Sequence, residues 1–232
     1  MIKTVFFDLY YTLVRYEPTR EQQQLDALKE HGLETDHKTM CAALLIADMF
    51  FYQENSRSAI YKRPEHEKLA FFEEYESIVL AQAGFDDVPD ETAFSIIQKL
   101  HKADKKLVFY EDVLPAFNEL KSKGIKLGLI TNAEQAQAPF EELGLYDHLD
   151  YIMTSPEEGM GKPAPHIFWA ALRRAGVKAS EAIHVGDQYD IDVVGAQGVG
   201  IKALLLDRNN IIEETNDCPK IISLAEIINH LE

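Results

Sequence analysis

Basic residues are scarce in this 232-residue chain. Its 23 lysines and arginines stand against 39 aspartates and glutamates, a formal net charge of −16. Such a surface repels phosphate backbones and anionic headgroups, which excludes nucleic acid and membrane as main partners. Cysteine is nearly absent: Cys41 and Cys218 lie far apart, with neither metal-ligand nor redox spacing. The expectation is two reduced thiols in a cytoplasmic protein. The eight histidines are scattered with no pair at ligand spacing on one helix, so zinc is unsupported. No window approaches 18 uninterrupted apolar residues, so no transmembrane helix is expected. The opening MIKTVFFDLYYTLV is broken by Asp8 and lacks a small-residue cleavage pattern, unlike a signal peptide. Internal repeats and low-complexity tracts are missing as well.

The remaining composition is that of a folded protein. Apolar residues make up 46% and charged residues 27%, which argues against disorder and supplies a sizeable core. The length fits one domain carrying a substantial insertion, or two domains.

Strand signals occur at Thr4–Phe7, Lys126–Thr131, Tyr151–Thr154, Ala182–Val185 and Ile201–Leu206. Helical signals lie between or after them at Glu111–Lys123, Pro165–Ala175, Asp187 through Gly195, and Leu224–Leu231. This alternation predicts βαβ units: an α/β fold with a Rossmann-like parallel sheet and helices on both faces. Between the first two strands the character changes. Thr19–His31, Lys38–Glu54, Glu65–Ala83 and Pro89–Ala103 carry apolar residues at helical spacing, separated by turn signals at His31-Gly32, Arg63-Pro64 and Gly84 to Pro89. Four helices without a strand predict an inserted all-α domain over residues 16–104, with residues 1–15 and 105–232 forming the core. The aromatic residues Phe50, Phe51, Tyr52, Phe71 and Phe72 are expected in the core of that bundle.

In an open parallel sheet, ligands bind beyond the carboxyl ends of the strands. The polar residues at those ends are Asp8, Thr131-Asn132 and Gly186-Asp187, with Lys162 in the loop after Tyr151–Thr154. Singly, each reads as a cap or turn residue. Together, in order and on one edge, they outline a site. Gly159-Met160-Gly161-Lys162 fails as a P-loop, because Pro163 replaces the Ser or Thr that binds magnesium and the glycine spacing is wrong. His184, one residue before Val185-Gly186-Asp187, could face the site, but it reads more readily as a strand residue satisfied by the core.

These residues resemble the motifs of the haloacid dehalogenase-like hydrolase superfamily. Phe7-Asp8-Leu9-Tyr10-Tyr11-Thr12-Leu13 looks like its first motif, usually Asp-x-Asp-Gly-Thr-Leu, and Ile130-Thr131-Asn132 its second. Lys162-Pro163 resembles the third, and Gly186-Asp187-Gln188-Tyr189-Asp190-Ile191-Asp192 the fourth. The resemblance implies that the helical insertion is a cap domain, and that Asp8 is a nucleophile forming an aspartyl intermediate. It further implies Thr131 and Lys162 as catalytic partners, and Thr12, Thr131, Asn132 and Lys162 as binders of a phosphate group. Mg²⁺ is then expected on Asp8, the main-chain carbonyl of Tyr10 and Asp187, with Asp192 in support. The substrate implied is a small phosphorylated metabolite.

One departure stands out. The second Asp of the first motif is Tyr10, and the usual Gly is Tyr11. In phosphatases of the superfamily that Asp protonates the leaving group and activates water; a tyrosine of pKa near 10 is a poor base at neutral pH. Three readings follow: a magnesium-dependent phosphatase with a substituted acid, a metal-free 2-haloacid dehalogenase, or a binding protein that has lost catalysis. The dehalogenases carry Tyr at this position but typically Ser at that of Asp187, and use a cap arginine for which Arg20, Arg57 and Arg63 are candidates.

Overall fold

In a computed structural model, residues 1–133, 141–213 and 215–232 are described. The chain divides into two compact units: Met1–Arg15 with Leu107–Glu232, and Tyr16–Lys106.

The first unit is built on a six-stranded sheet. Its strands are β1 (Thr4–Phe7), β4 (Lys126–Thr131), β5 (Tyr151–Thr154), β6 (Ala182–Gly186), β7 (Lys202–Leu206) and β8 (Lys220–Ile221), ordered β5-β4-β1-β6-β7-β8. The pairings β1–β4, β1–β6, β4–β5, β6–β7 and β7–β8 are all parallel. Buried on both faces, β1 and β6 are solvent-inaccessible along their whole length, which is why they read as continuous apolar runs. Alternation sends neighbouring side chains to opposite faces. Val5, Phe7, Leu129 and Val185 pack on one face against Val113 and Phe117 of helix Val113–Ser122. Phe6, Ile130 and Leu205 pack on the other against Ile167 and Phe168 of helix Pro165–Ala175. Gly128 lies beneath the Phe6 ring, where a Cβ would sit 2.4 Å from a ring carbon, so the crossing of β1 and β4 requires glycine.

Where the chain leaves and re-enters this unit, β2 (Val14–Glu17) and β3 (Lys106–Phe109) form a two-stranded ribbon that the sequence pattern does not announce. Its strands are four residues each and alternate too little to stand out.

The second unit holds four helices: α1 (Arg20–Glu30), α2 (His37–Arg57), α3 (Glu65–Gln82) and α4 (Asp90–Lys102). Thr19 caps α1 by accepting from the Gln22 N–H, and Asp36 caps α2 by accepting from Lys38 and Thr39. The bundle core is made largely of small and aliphatic residues, among them Ala27, Leu28, Ala43, Leu44, Ala47, Val79 and Ile96. The aromatic residues depart from expectation. Phe71 is buried and contacts the rings of Phe50, Phe51, Phe72 and Tyr75, but Phe72 is 42% exposed. They make a side cluster outside the aliphatic core, because alanines at the helix crossings leave no room for large rings. Among the described residues, no helix is long and apolar enough to cross a membrane.

Two further elements differ from the sequence reading. After β6 the chain makes a π-helical turn at Tyr189–Val193 before the α-turn Val194–Gln197, and the closing segment Leu224–His230 is 3-10 helical.

Candidate active site

The sheet order brings the distant polar residues together. β1 lies between β4 and β6, with Phe7 level with both Leu129 and Val185. The Asp8 N–H donates to the Val185 carbonyl at 2.9 Å, so Asp8 emerges at the carboxyl edge beside Gly186-Asp187.

Lys162 is carried there by a loop that Asn132 holds in place. The Lys162 N–H donates to Asn132 Oδ1 at 2.7 Å, and Asn132 Nδ2 donates to the Lys162 carbonyl at 2.8 Å. At Gly161 a Cβ would come within 2.4 Å of Asn132 Oδ1, so the clamp depends on glycine there. Lys162 Nζ lies 2.6 Å from Asp8 Oδ1 and 2.6 Å from Asp192 Oδ1. The π-turn aims Asp192 back under the sheet edge, and its Oδ2 accepts from the Gln188 N–H at 3.2 Å. Any side chain at Gly186 would collide with Asp192, at 2.1 Å.

His184, a buried strand residue as expected, also completes this chain of groups. Its Nε2 lies 2.8 Å from Asp192 Oδ1, its ring meets Phe168 edge-on, and its Nδ1 has no hydrogen-bond partner among the described residues. In the sequence only its place just before Val185-Gly186-Asp187 hints at this role; its position beside Asp192 establishes it.

The charges are set by burial and pairing. Burial opposes the charge on Lys162, but Asp192 and Asp8 more than offset it and hold the ammonium above the ordinary lysine range. Burial likewise opposes ionisation of Asp192, yet Lys162 and then His184 pull its carboxyl well below the usual range. Asp8 is raised: desolvation and the neighbouring Asp192 outweigh the attraction of Lys162. Burial lowers His184, outweighing the hydrogen bond and attraction of Asp192.

Around this centre, Thr12 Oγ1 donates to Asp187 Oδ1 at 3.3 Å and Gln188 Nε2 donates to Asp187 Oδ2 at 3.0 Å. Thr131 is buried, and its Oγ1 accepts from the Ala133 N–H at 3.1 Å. The Thr12 carbonyl accepts from Arg208 at 2.7 Å, an anchor absent from the sequence reading. Tyr11 occupies the position of the usual glycine and takes φ +63°, a left-handed conformation that is costly for a bulky residue. Tyr10 is half-buried and bridges to Val14. In the helical unit, all three arginines considered for a carboxylate are engaged. Arg20 lies 2.5 Å from Asp48, Arg57 lies 2.6 Å from Glu54, and Arg63 donates to the Glu54 carbonyl at 2.9 Å.

Asp8, Asp187 and Asp192 each offer a carboxylate oxygen, all within 4.8 Å of one another. Three acids with one lysine among them leave an excess of negative charge. An all-oxygen donor set with that deficit fits a hard divalent cation such as Mg²⁺.

The haloacid dehalogenase-like hydrolase family model matches residues 2–200. The chain belongs to this family. It is 30% identical over 224 residues to glyceraldehyde 3-phosphate phosphatase of Methanopyrus kandleri, covering 94% of this chain and 90% of that protein. It is also 30% identical over 219 residues to ribulose-1,5-bisphosphate 5-phosphatase of Halopiger xanaduensis, covering 89% and 85%. Among solved structures it is similar to a 2-haloacid dehalogenase from Pseudomonas syringae pv. Tomato, at 26% identity, a TM-score of 0.57, and 100% and 98% coverage. As a member of the haloacid dehalogenase-like hydrolases, the protein is a hydrolase with the family's α/β core.

Proposed function

We propose that this hydrolase is a magnesium-dependent phosphatase that acts on a small phosphorylated metabolite. The observation that carries this reading is the convergence of Asp8, Asp187 and Asp192 around Lys162. A metal-free dehalogenase has no use for an acid at position 187, and two full-length relatives are named as phosphatases.

In the proposed reaction, the Asp8 carboxylate attacks phosphorus in line and the P–O bond to the leaving group breaks, giving an aspartyl phosphate and a free alkoxide or phenoxide. Water then displaces the phosphate from Asp8. Lys162 balances charge on Asp8 and on the transferring oxygens. Thr12, Thr131 and Lys162 line the phosphate position, and Asn132 holds the Lys162 loop beside it. Asp8, the Tyr10 carbonyl and Asp187 would hold the cation, while Asp192 keeps Lys162 aligned. When bound, Mg²⁺ supplies positive charge against the phosphoryl oxygens. Tyr10 puts a phenol, a weaker proton donor than a carboxylic acid and a poor base for water, at that position, so turnover favours acidic leaving groups.

Tyr10 itself favours a second reading, a 2-haloacid dehalogenase, since halide departs without a proton. The engaged arginines leave that reading without a ready carboxylate anchor. The test is a panel of phosphate esters assayed across a Mg²⁺ titration, beside 2-chloropropionate in EDTA. Magnesium-dependent phosphate release supports the proposal. Halide release in EDTA overturns it in favour of the dehalogenase. Silence in both assays favours a binding protein.

A further inference from the structure

The helical unit holds a cavity of about 590 Å³ between α1, α3 and α4, within the size range of small-molecule sites. Its walls are apolar, formed in part by Leu69, Phe72 and Phe94, which are 43%, 42% and 39% exposed. Exposed apolar side chains grouped around a cavity mark a contact surface more often than a random surface does.

The polar groups are unequally distributed. Gln24 and Glu76 line the cavity at its buried side. Gln24 Nε2 donates to Glu76 Oε2 at 2.9 Å, and that bond uses the carboxamide donor within reach. Among the described residues, Gln24 Oε1 and Glu76 Oε1 are left buried with no hydrogen-bond partner. Two buried polar oxygens left unpartnered are what a folded chain avoids unless something supplies the partner. The exposed side carries His101, Lys102 and Lys105, with Lys68 paired to Glu65 nearby. With Lys68 paired to Glu65, Lys102 and Lys105 outnumber the remaining acid, Glu76, so in a chain of net charge −16 the exposed side of the cavity carries a local positive charge that suits an anion.

We propose that this cavity binds a small aromatic carboxylate whose far end carries a hydrogen-bond donor. The donor meets Gln24 Oε1 and Glu76 Oε1, the ring lies among Leu69, Phe72 and Phe94, and the carboxylate faces Lys102 and Lys105. A second copy of the chain pressed onto this face would cover the apolar rim and leave both buried oxygens unsatisfied. A ligand hydroxyl donates its one hydrogen to the pair, which a second copy does not. The inference is independent of the phosphatase reading, since every residue it uses lies in the Tyr16–Lys106 unit.

The test is calorimetric titration of the full chain with 3-(4-hydroxyphenyl)propionate. Two controls accompany it: 3-phenylpropionate, which lacks the donor, and 2-(4-hydroxyphenyl)ethanol, which lacks the anion. The expected result is one saturable site, with each control bound at least tenfold more weakly. The double variant Lys102→Glu/Lys105→Glu, altered only at exposed positions, is expected to lose at least tenfold in affinity with an unchanged melting temperature. Asp8→Asn is expected to bind as tightly as the native chain. No saturable binding by any probe, equal binding by all three, or full affinity in the lysine variant each overturns the proposal. So does a dimer in light scattering that Leu69→Glu dissociates while the probe fails to bind, which would assign the face to a second copy.

Discussion

Replacing Glu76 with glutamine should make the protein more stable at alkaline pH and leave it nearly unchanged at acidic pH. Glu76 is 2% exposed, receives a single hydrogen bond from Gln24, and keeps one oxygen unpartnered. Burial pushes its carboxyl up to about 7 from an ordinary 4.5, only partly countered by the Gln24 bond. In the unfolded chain Glu76 ionises near pH 4.5; in the folded chain it keeps its proton until about 7. Between those values the folded state holds more protons, so the free energy of unfolding falls as pH rises, by up to about 1.4 kcal/mol per pH unit. Summed over that window, the loss is roughly 3 kcal/mol, complete above about pH 7. Glutamine has nearly the same shape, can pair with Gln24, and does not ionise. Urea denaturation of the full chain, native against Glu76→Gln at pH 4.5 and at pH 8, isolates the effect because every other titrating group cancels in the difference. Hydrogen exchange in α3 locates it. A native-minus-variant difference that does not change with pH, or a variant less stable than native at pH 8, refutes the reasoning.

Other substitutions probe the core unit. Lys162→Met removes the partner of two buried carboxylates and should cost about 3–5 kcal/mol, read as a lower melting temperature, together with abolished turnover. An unshifted melting temperature would show that Asp8 and Asp192 do not rely on that ammonium. Gly186→Ala places a Cβ 2.1 Å from the Asp192 carboxyl carbon, so it should displace Asp192 and reduce turnover while circular dichroism stays native. Full activity in that variant would remove Asp192 from the account. Tyr10→Asp restores an acid at the position where proton transfer is worth about 10²–10⁴-fold, so alkyl phosphates should gain tenfold or more and aryl phosphates less. Equal gains on both classes, or none, would mean that leaving-group protonation does not limit turnover.

How much of this was legible in the sequence follows from which interactions are local. β1, β4, β5 and the helix Pro165–Ala175 match their patterns residue for residue, because each is a strongly apolar run bounded by clear breakers. Gly124, with φ +75°, ends the helix before β4 as its position predicts. The ribbon of β2 and β3 escaped notice because its two strands are distant in sequence and only their pairing defines them. The π-turn at Tyr189–Val193 has no pattern of its own; it is fixed by the need to bring Asp192 against Lys162 under Gly186.

The candidate site was legible as a set of residues and not as a network. Motif order names Asp8, Asn132, Lys162, Asp187 and Asp192, and strand order β4-β1-β6 explains why they meet. Asn132 was expected on phosphate, yet its side chain is spent on the Lys162 backbone. His184 was legible as a residue near the site but not as a partner of Asp192, because a buried histidine's role depends on what folds beside it, here a carboxylate eight positions later. The cavity in the helical unit is tertiary for the same reason: Gln24 and Glu76 lie 52 positions apart and meet only across packed helices.

The central claim is that Asp8 performs metal-dependent phosphoryl transfer. The most direct measurement is hydrolysis of p-nitrophenyl phosphate by the native chain and by Asp8→Asn, each with Mg²⁺ and with EDTA. The account predicts turnover only in the native chain with Mg²⁺. Turnover that survives EDTA, or that persists in Asp8→Asn, would contradict it.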